Sequence, residues 1–352
     1  GIFHRCESCG MEVADRWDNI RSEETRDRIC KTCFLKRIKG RDKRKELENT
    51  HFQTALSINE IAGMEERGYF AVLHADANNM GRTLFNLQSM TDYALFSRTV
   101  LKVMDEVVKD IVLKFDLIGR YQAPVIGGDD ILLILPAQKV AKVALYLMEN
   151  IKKRFSDEAN IIGGDIAKHL CQIGMSVGFV IVPNHFPIRF ATDYAQALLR
   201  SAKEKRWETT EDCLDYLVLK DASPLNLSIA DLRKLYFQRE TPHWTLKLTF
   251  KPLRLTVFKE VLENIEKLIY AGVTQSQLHH IKTLLMQEPP KVASLNICYQ
   301  WLQIESWRRF CKLNGYLDVK DGIEKLGILR GKHNVYESGF LDLLELYEFK
   351  EK

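Results

Sequence analysis

A turn of two glycines and two aspartates between apolar runs is the feature that most limits how this chain can fold. In "YQAPVIGGDDILLILPA", Tyr121 to Ala137, a strand-like stretch stops at Gly127 and Gly128, and Asp129 and Asp130 follow before apolar residues resume. Neighbouring side chains on a regular strand point to opposite faces, so one aspartate would enter the core, at a high cost unless it is paired or binds a metal. The glycines ease this because they permit positive φ and a tight bend. The stretch therefore predicts a β-hairpin with both carboxylates projecting from its tip. Carboxylates gathered at a sheet edge make an oxygen-rich site suited to Mg²⁺ or Mn²⁺.

A third carboxylate has the right context. "VLHADANNMGRTLF" runs from a buried strand into Asp76, a polar turn, Gly81 and a helix. If that strand pairs next to the hairpin, Asp76 lies beside Asp129. The turn amides from Ala77 to Gly81 would then face a phosphate, as N–H groups at helix starts do. Three such carboxylates are what two-metal phosphoryl or nucleotidyl transfer needs: one ion activates the attacking hydroxyl and the other stabilises the leaving pyrophosphate. The competing reading is a turn built for Gly and Asp turn chemistry alone.

The flanking pattern supplies a sheet. Strands are predicted at 69–76, on both sides of the Gly-Gly-Asp-Asp turn, at 174–183 and at 214–221, with helices at 92–115, 139–155 and 189–206. The 92–115 helix is expected to bury a stripe of Leu101, Met104, Val108, Ile111 and Phe115. The order β-α-β-β-α-β-α-β, with a central hairpin, fits a split βαβ sheet with helices on one face better than a doubly wound parallel sheet.

Ahead of this region stand Cys6-x2-Cys9 and, after a twenty-residue gap, Cys30-x2-Cys33. Two CxxC pairs suit a tetrahedral, structural Zn²⁺ with a small ribbon between them. Four unrelated thiols are the alternative. From Lys36 to Lys45 there are seven basic residues and one acidic one, read either as a solvated helix or linker or as a contact for RNA phosphates. After residue 223 strand signals fade past "WTLKLTF", and helical runs broken at Pro289-Pro290 take over. The Trp and Phe residues there, at helical spacing, are read as core. The expected organisation is a zinc-binding module (1–40), a basic linker or helix (41–66), a palm-type domain (67–222) and a helical C-terminal domain (223–352).

With 46% hydrophobic and 28% charged residues the chain is neither disordered nor fibrous, and a net charge of +4 gives no strong global field. No apolar run is long enough for a membrane span, and "GIFHRCESCG" has no signal-peptide character. The start, without Met, leads us to expect a fragment or processed product. The remaining cysteines (Cys171, Cys213, Cys298, Cys311) are scattered, which points to a reducing cytoplasm.

The runs "FAVLHADANNMG", "IGGDDILLILP", "MSVGFVIVP" and "ALLRSAKEK" together resemble the palm domain of GGDEF cyclases and polymerases. The closest likeness is to the large polymerase/cyclase subunit of type III CRISPR effector complexes. In that family a zinc module precedes the palm and a helical domain closes the chain. The resemblance implies an α/β (α+β) fold: a ferredoxin-like palm with an N-terminal zinc ribbon and an all-helical C-terminal domain. It also implies a cytoplasmic nucleotidyltransferase that makes cyclic oligoadenylate from ATP with two Mg²⁺ or Mn²⁺ ions when target RNA is captured. Asp76, Asp129 and Asp130 match the metal carboxylates and catalytic residues. Asn78, Asn79, Gly81, Gly127, Gly128, Ser176 and Lys203 match positions near the nucleotide, with Lys203 alternatively a surface lysine. The implied partners are guide RNA, target RNA and other effector subunits, with no membrane. Ala77 stands where the family commonly has Gly. No nuclease domain and no first palm are present, so a second palm is expected from another chain or a missing N-terminal part. The alternatives are a related palm enzyme making another signalling nucleotide, and a non-catalytic RNA-binding scaffold.

Overall fold

The computed structural model describes residues 4–18, 27–63, 68–221, 227–315, 329–330 and 333–350. The chain divides into two compact units, Gly1–Thr54 and Ala55–Lys352. In the first, β1 (Arg16–Asp18) and β2 (Asp27–Ile29) form an antiparallel ribbon, followed by α1 (Lys31–Thr50). Cys30 caps α1, its sulfur accepting the Cys33 amide, and Cys6, Ile29, Cys30 and Cys33 form the buried centre of the unit. The basic stretch is thus helical, and α1 runs without a break through the expected boundary at 40/41. The expected boundaries at 66/67 and 222/223 fall at or beside residues outside those described.

The second unit starts with α2 (Ile58–Ala62) and β3 (Tyr69–Ala77). It continues through α3 (Met80–Asn86), α4 (Met90–Lys114), β4 (Gln122–Gly127), β5 (Asp130–Pro136), α5 (Ala137–Ile162), α6 (Gly164–Leu170), β6 (Met175–Pro183), α7 (Ile188–Thr209) and β7 (Cys213–Val218). β3 lies between β5 and β6, antiparallel to both, β4 is the hairpin partner of β5, and β7 runs parallel to β6. This is the split βαβ order, with β7 added at one side. β6 reads "MSVGFVIVP" without alternation and is buried along its whole length, as a central strand covered on both faces must be.

Both faces are in fact covered, which differs from the expected single helical layer. A Cβ on Gly178 would lie 2.2 Å from the Leu199 amide nitrogen of α7. The next residue, Phe179, points the other way and stacks on Tyr216 at 5.1 Å, with Phe258 across its edge at 6.5 Å. Phe258 belongs to α9 (Leu255–Ala271), so α7 and α9 flank opposite faces. The crossover from β6 to its parallel neighbour β7 has to run over one face, and α7 is that crossover. Of the expected α4 stripe, Met104, Val108 and Ile111 are buried and Phe115 is half-buried, whereas Leu101 is 48% exposed; Val100, Val103 and Val107 complete the buried face instead.

The C-terminal part comprises α8 (Ile229–Phe237), β8 (Gln238–Glu240), β9 (Thr245–Lys247), β10 (Leu253–Arg254), α9, α10 (Gln275–Gln287), α11 (Pro290–Gln303), α12 (Glu305–Leu313), β11 (Leu329–Arg330), β12 (Val335–Glu337) and α13 (Phe340–Tyr347). It is mainly helical, and Pro290 opens α11 at a position where its missing N–H costs nothing. The expectation of an all-helical domain needs correcting. β11, β12, β9 and β8 form a small sheet, and β10 adds an edge strand to the palm sheet beside β7. Strands of two or three residues are too short to show a period of two, which is why the sequence did not reveal them. Buried Trp301 stacks on Trp307 at 5.5 Å, so these aromatics are core as expected. No helix among the described residues is long and apolar enough to cross a membrane.

The packing of α7 on β6 generates a test. Gly178→Val places side-chain atoms against the backbone of Ala195, Leu198 and Leu199, which cannot rotate away. We expect a loss of at least about 1–3 kcal/mol, the usual range for overpacking, read as a lower urea midpoint with an unchanged slope.

Candidate active site

The polar end of the sheet is built by register. Asp76, next to last in β3, lies opposite Asp130 of β5 on one side and Ser176 of β6 on the other. Gly127 pairs with Asp130, leaving a two-residue loop of Gly128 and Asp129. Gly128 has φ +59° and Asp129 does not have positive φ, the sign pattern of a II′ hairpin. The Asp129 carbonyl accepts the Ala77 amide at 2.9 Å, which ties the turn to the end of β3. The three carboxylates therefore meet at one sheet end, with a shift from expectation. Asp130, not Asp129, is the register partner of Asp76, and only Asp129 occupies the tip.

Two of the three carboxylates are held by cationic or donor side chains. Lys203 of α7 donates to Asp76 Oδ2 at 2.5 Å. His74 Nε2 lies 2.6 Å from Asp130 Oδ1, while its buried Nδ1 has no partner. Facing an ionised carboxylate, Nε2 has to carry the proton. Burial pushes the Asp76 carboxyl above its ordinary range; Lys203 opposes this, and the charges of Asp129 and Asp130 reinforce it.

Asn78 and Ser176 are brought together but turned inward. Ser176 is fully buried and donates to Asn78 Oδ1 at 2.8 Å, and Asn78 Nδ2 donates to Asp212 Oδ1 at 2.7 Å. Arg206 Nε donates to the same Asp212 oxygen at 3.4 Å. Asn79, with φ +69°, donates its side chain to the Gln172 carbonyl. Of the turn amides expected to face a phosphate, Ala77 N–H goes to Asp129 and Asn78 N–H to Gly174. The stretch from Asn79 to Gly81 is what remains of that expected cradle.

His74, Asp212 and Arg206 were missed from sequence. His74 had a legible signal, since two residues before Asp76 on one strand means the same face. Asp212 had none, being 134 residues from Asn78 and joined to it only by the fold.

The four cysteines of the first unit have sulfurs all within 4.8 Å of one another, the only such cluster of potential metal ligands among the described residues. Gly10, at φ +66°, closes the first turn, and the Gly10 amide donates to the Cys6 carbonyl. The thiols differ in acidity. Burial raises Cys6, but the amides of Cys30, Cys9 and Ser8 outweigh it and bring it down to about 6. Cys30 is pushed up to about 12, first by its bond to Glu12. Four converging sulfurs fit a closed tetrahedral Zn²⁺ site with no position left for chemistry.

Residues 69–210 match the family model of the Cas10/Cmr2 second palm domain. That stretch is similar to a Cas10/Cmr2 second palm. Among solved structures it is similar to Csm1 of T. onnurineus, at 15% identity over 86% of this chain and 41% of that one, with a TM-score of 0.49. It is also similar to a Csm1–Csm4 cassette in complex with pppApA (14% identity, 83% of this chain, 37% of that chain, TM-score 0.46). A bacterial light-regulated adenylyl cyclase matches over 39% of this chain and 40% of its own, at 10% identity and a TM-score of 0.28. The chain thus spans about two fifths of the Csm1 chains it resembles. No curated protein matches it. The Asp76, Asp129 and Asp130 cluster, Ser176 and Lys203 all lie within the Cas10/Cmr2 palm stretch.

Two tests follow from this geometry. An acid whose folded pKa exceeds its unfolded value stabilises the fold in acid and loses that contribution as pH rises through the folded value. Asp76→Asn, which cannot ionise, should therefore melt above the parent protein at neutral pH without divalent ions. The gap should close as pH falls into the carboxylate range. Melting curves across that range check this, and a constant or reversed gap would contradict the account of Asp76. For the thiolates, metal analysis should find one zinc per chain. Cys30→Ser should lose it and make the first unit protease-sensitive while residues 55–352 stay protected.

Proposed function

We propose that this chain is the catalytic palm-bearing part of a type III CRISPR large subunit and joins ATP units into cyclic oligoadenylate. The observation that carries the reading is Asp76 paired in register with Asp130 beside the Gly128-Asp129 turn, inside a stretch that matches a Cas10/Cmr2 second palm. A pure scaffold has no need to hold three anions together against their mutual repulsion.

Asp76, Asp129 and Asp130 offer only hard oxygen donors, which fits two Mg²⁺ or Mn²⁺ ions. Bound there, such ions would acidify the attacking hydroxyl and neutralise the leaving pyrophosphate. In each transfer a ribose hydroxyl oxygen bonds to an α-phosphorus, the bond from that phosphorus to the β-phosphate bridging oxygen breaks and releases pyrophosphate, and the hydroxyl proton passes to solvent water. Lys203 stands next to Asp76, where its ammonium can shift to a phosphate oxygen. Asn78 and Ser176, held by Asp212, fix the end of β3 on β6 and so keep Asp76 in place. Gly81, Gly127 and Gly128, none of which has a side chain, leave room for the nucleotide to approach the backbone. The proposed partners are guide RNA, target RNA, further effector subunits and a second palm.

Product analysis by mass spectrometry tests this. With ATP, Mg²⁺, a second palm and complementary RNA, the parent protein should make cyclic oligoadenylate. Asp76→Ala and Asp129→Ala should each lose at least about 10²-fold in rate, the scale of removing a group that acts on transition-state charge, with melting temperatures near the parent's. Near-parental product from either variant would refute the assignment. Robust ATP turnover by the isolated monomer would refute the need for a second palm.

A further inference from the structure

We propose that His74 is a positioning residue for the divalent-metal site: it holds Asp130 by one oxygen and leaves the other for the ion. The inference deepens the proposed function and rests on the reading of Asp76, Asp129 and Asp130 as metal carboxylates. His74 stands two residues before Asp76 in β3, so the two side chains share a face. Asp130 is directly opposite Asp76, which makes it the diagonal neighbour of His74 across the β3–β5 pair. An imidazole is long enough to span that diagonal, and Nε2 does so, lying 2.6 Å from Asp130 Oδ1. Among the described residues no hydrogen bond or ion pair reaches Asp130 Oδ2. The His74 side chain is 13% exposed and that of Asp130 39%, so the hold comes from the buried side while the carboxylate stays open to an ion.

The surroundings of His74 fix which nitrogen carries the proton. Its register partners are Leu132 on β5 and Gly178 on β6, and neither offers a polar side chain. The bare Gly178 lets α7 pack directly on the sheet at this level. Nδ1 is accordingly buried without a partner. A proton on Nδ1 would leave a buried N–H unpaired and take the donor away from Asp130. The proton therefore stays on Nε2 and is committed to the carboxylate. With its accessible nitrogen used as a donor, His74 offers no lone pair to a metal. The site remains all-oxygen, which suits Mg²⁺ or Mn²⁺ and gives no advantage to the ions that favour imidazole.

Asp130 needs such a hold because it faces the like charge of Asp76 across the register, and repulsion turns the two carboxylates apart when no cation lies between them. Lys203 fixes Asp76 from α7, and His74 fixes Asp130 from β3. The two holds respond differently to an arriving ion. The Lys203 ammonium repels a cation and has to give way. A neutral imidazole N–H carries no such charge, so its hydrogen bond persists when the ion binds. A donor that stays in place sets the orientation of the carboxylate beforehand, as the hydrogen-bonded outer partners of metal ligands do.

The test titrates the full chain with Mn²⁺ alone, without nucleotide, and follows the free ion by electron paramagnetic resonance. Melting curves without divalent ions show that each variant is folded. His74→Phe and His74→Leu lose the donor while filling the space with different shapes, so one of them serves if the other does not fold. Both should bind Mn²⁺ about tenfold to a hundredfold more weakly, the usual cost of losing an outer partner of a metal ligand. His74→Gln, which keeps a donor, should recover most of the affinity. Because His74 acts through Asp130, His74→Phe/Asp130→Asn should bind no more weakly than Asp130→Asn alone. Additive losses in that double variant would mean general packing and would overturn the proposal. So would tighter binding by His74→Phe, which would make His74 a competitor that the ion has to displace. If Asp129→Ala weakens Mn²⁺ binding and the donor-less His74 variants do not, only the His74 assignment falls. If the parent binds no Mn²⁺, or binds it as well as Asp129→Ala does, the metal reading of the carboxylates falls together with it.

Discussion

The candidate site depends on the register of β3 between β5 and β6. That register sets Asp76 against Asp130 and Ser176 at the same level of the sheet. A slip of one residue would send His74 and Asp76 to the opposite face and put Leu73 and Ala75 under α7. The apolar pattern of β3 and the packing of Gly178 against α7 both oppose such a slip. The same register creates an electrostatic problem. Two like charges about 4 Å apart cost about 1–4 kcal/mol, depending on local dielectric. Lys203 and His74 answer it from opposite sides, one from the helix above the sheet and one from the strand itself.

This arrangement explains why Asp130 and Asp129 are not equivalent despite their adjacency. Asp130 is a strand residue with one oxygen on His74, so its removal also strips His74 of its partner. Asp129 is a turn residue whose carbonyl, not its side chain, bonds to β3. Truncating Asp129 removes a charge and leaves the hairpin hydrogen bonding intact. That makes it the cleaner probe of the site's chemistry, whereas Asp130 mixes chemistry with packing.

The hairpin, the three carboxylates, the strand and helix order and the thiolate cluster were legible in the sequence because each rests on local signals: glycines at a turn, a period of two or 3.6, paired CxxC spacing. Four things were not. The pairing of Asp76 with Asp130 instead of Asp129 turns on a single residue of register. The inward engagement of Asn78 and Ser176 depends on Asp212, a side chain distant in sequence. The placement of α7 on the face opposite α9 follows from chain crossover and not from any residue of α7 itself. The same holds for the small sheet of β8, β9, β11 and β12, whose strands are shorter than the period that would reveal them.

Charge is handled differently in the three parts of the molecule, and the net charge of +4 conceals this. In the C-terminal part, Lys251 is buried, donates to Glu345 at 2.5 Å and lies over the rings of Tyr216 and Phe237. Burial pushes Asp342 and Glu345 up while Lys251 pulls them down. With Thr249 and the Phe250 amide both donating to Asp342, that cluster is closed and structural. At the palm end, Lys203 and Asp76 both retain solvent access, so a cation can exchange there without unburying anything. Along α1, five of the basic side chains (Lys36, Lys39, Arg41, Arg44 and Lys45) meet no carboxylate among the described residues. A closed, a replaceable and an unanswered set of charges are three different physical states. The replaceable set is the one from which a ligand can gain free energy without breaking a buried ion pair, which is why function is sought at the palm carboxylates and not at the most deeply buried ions.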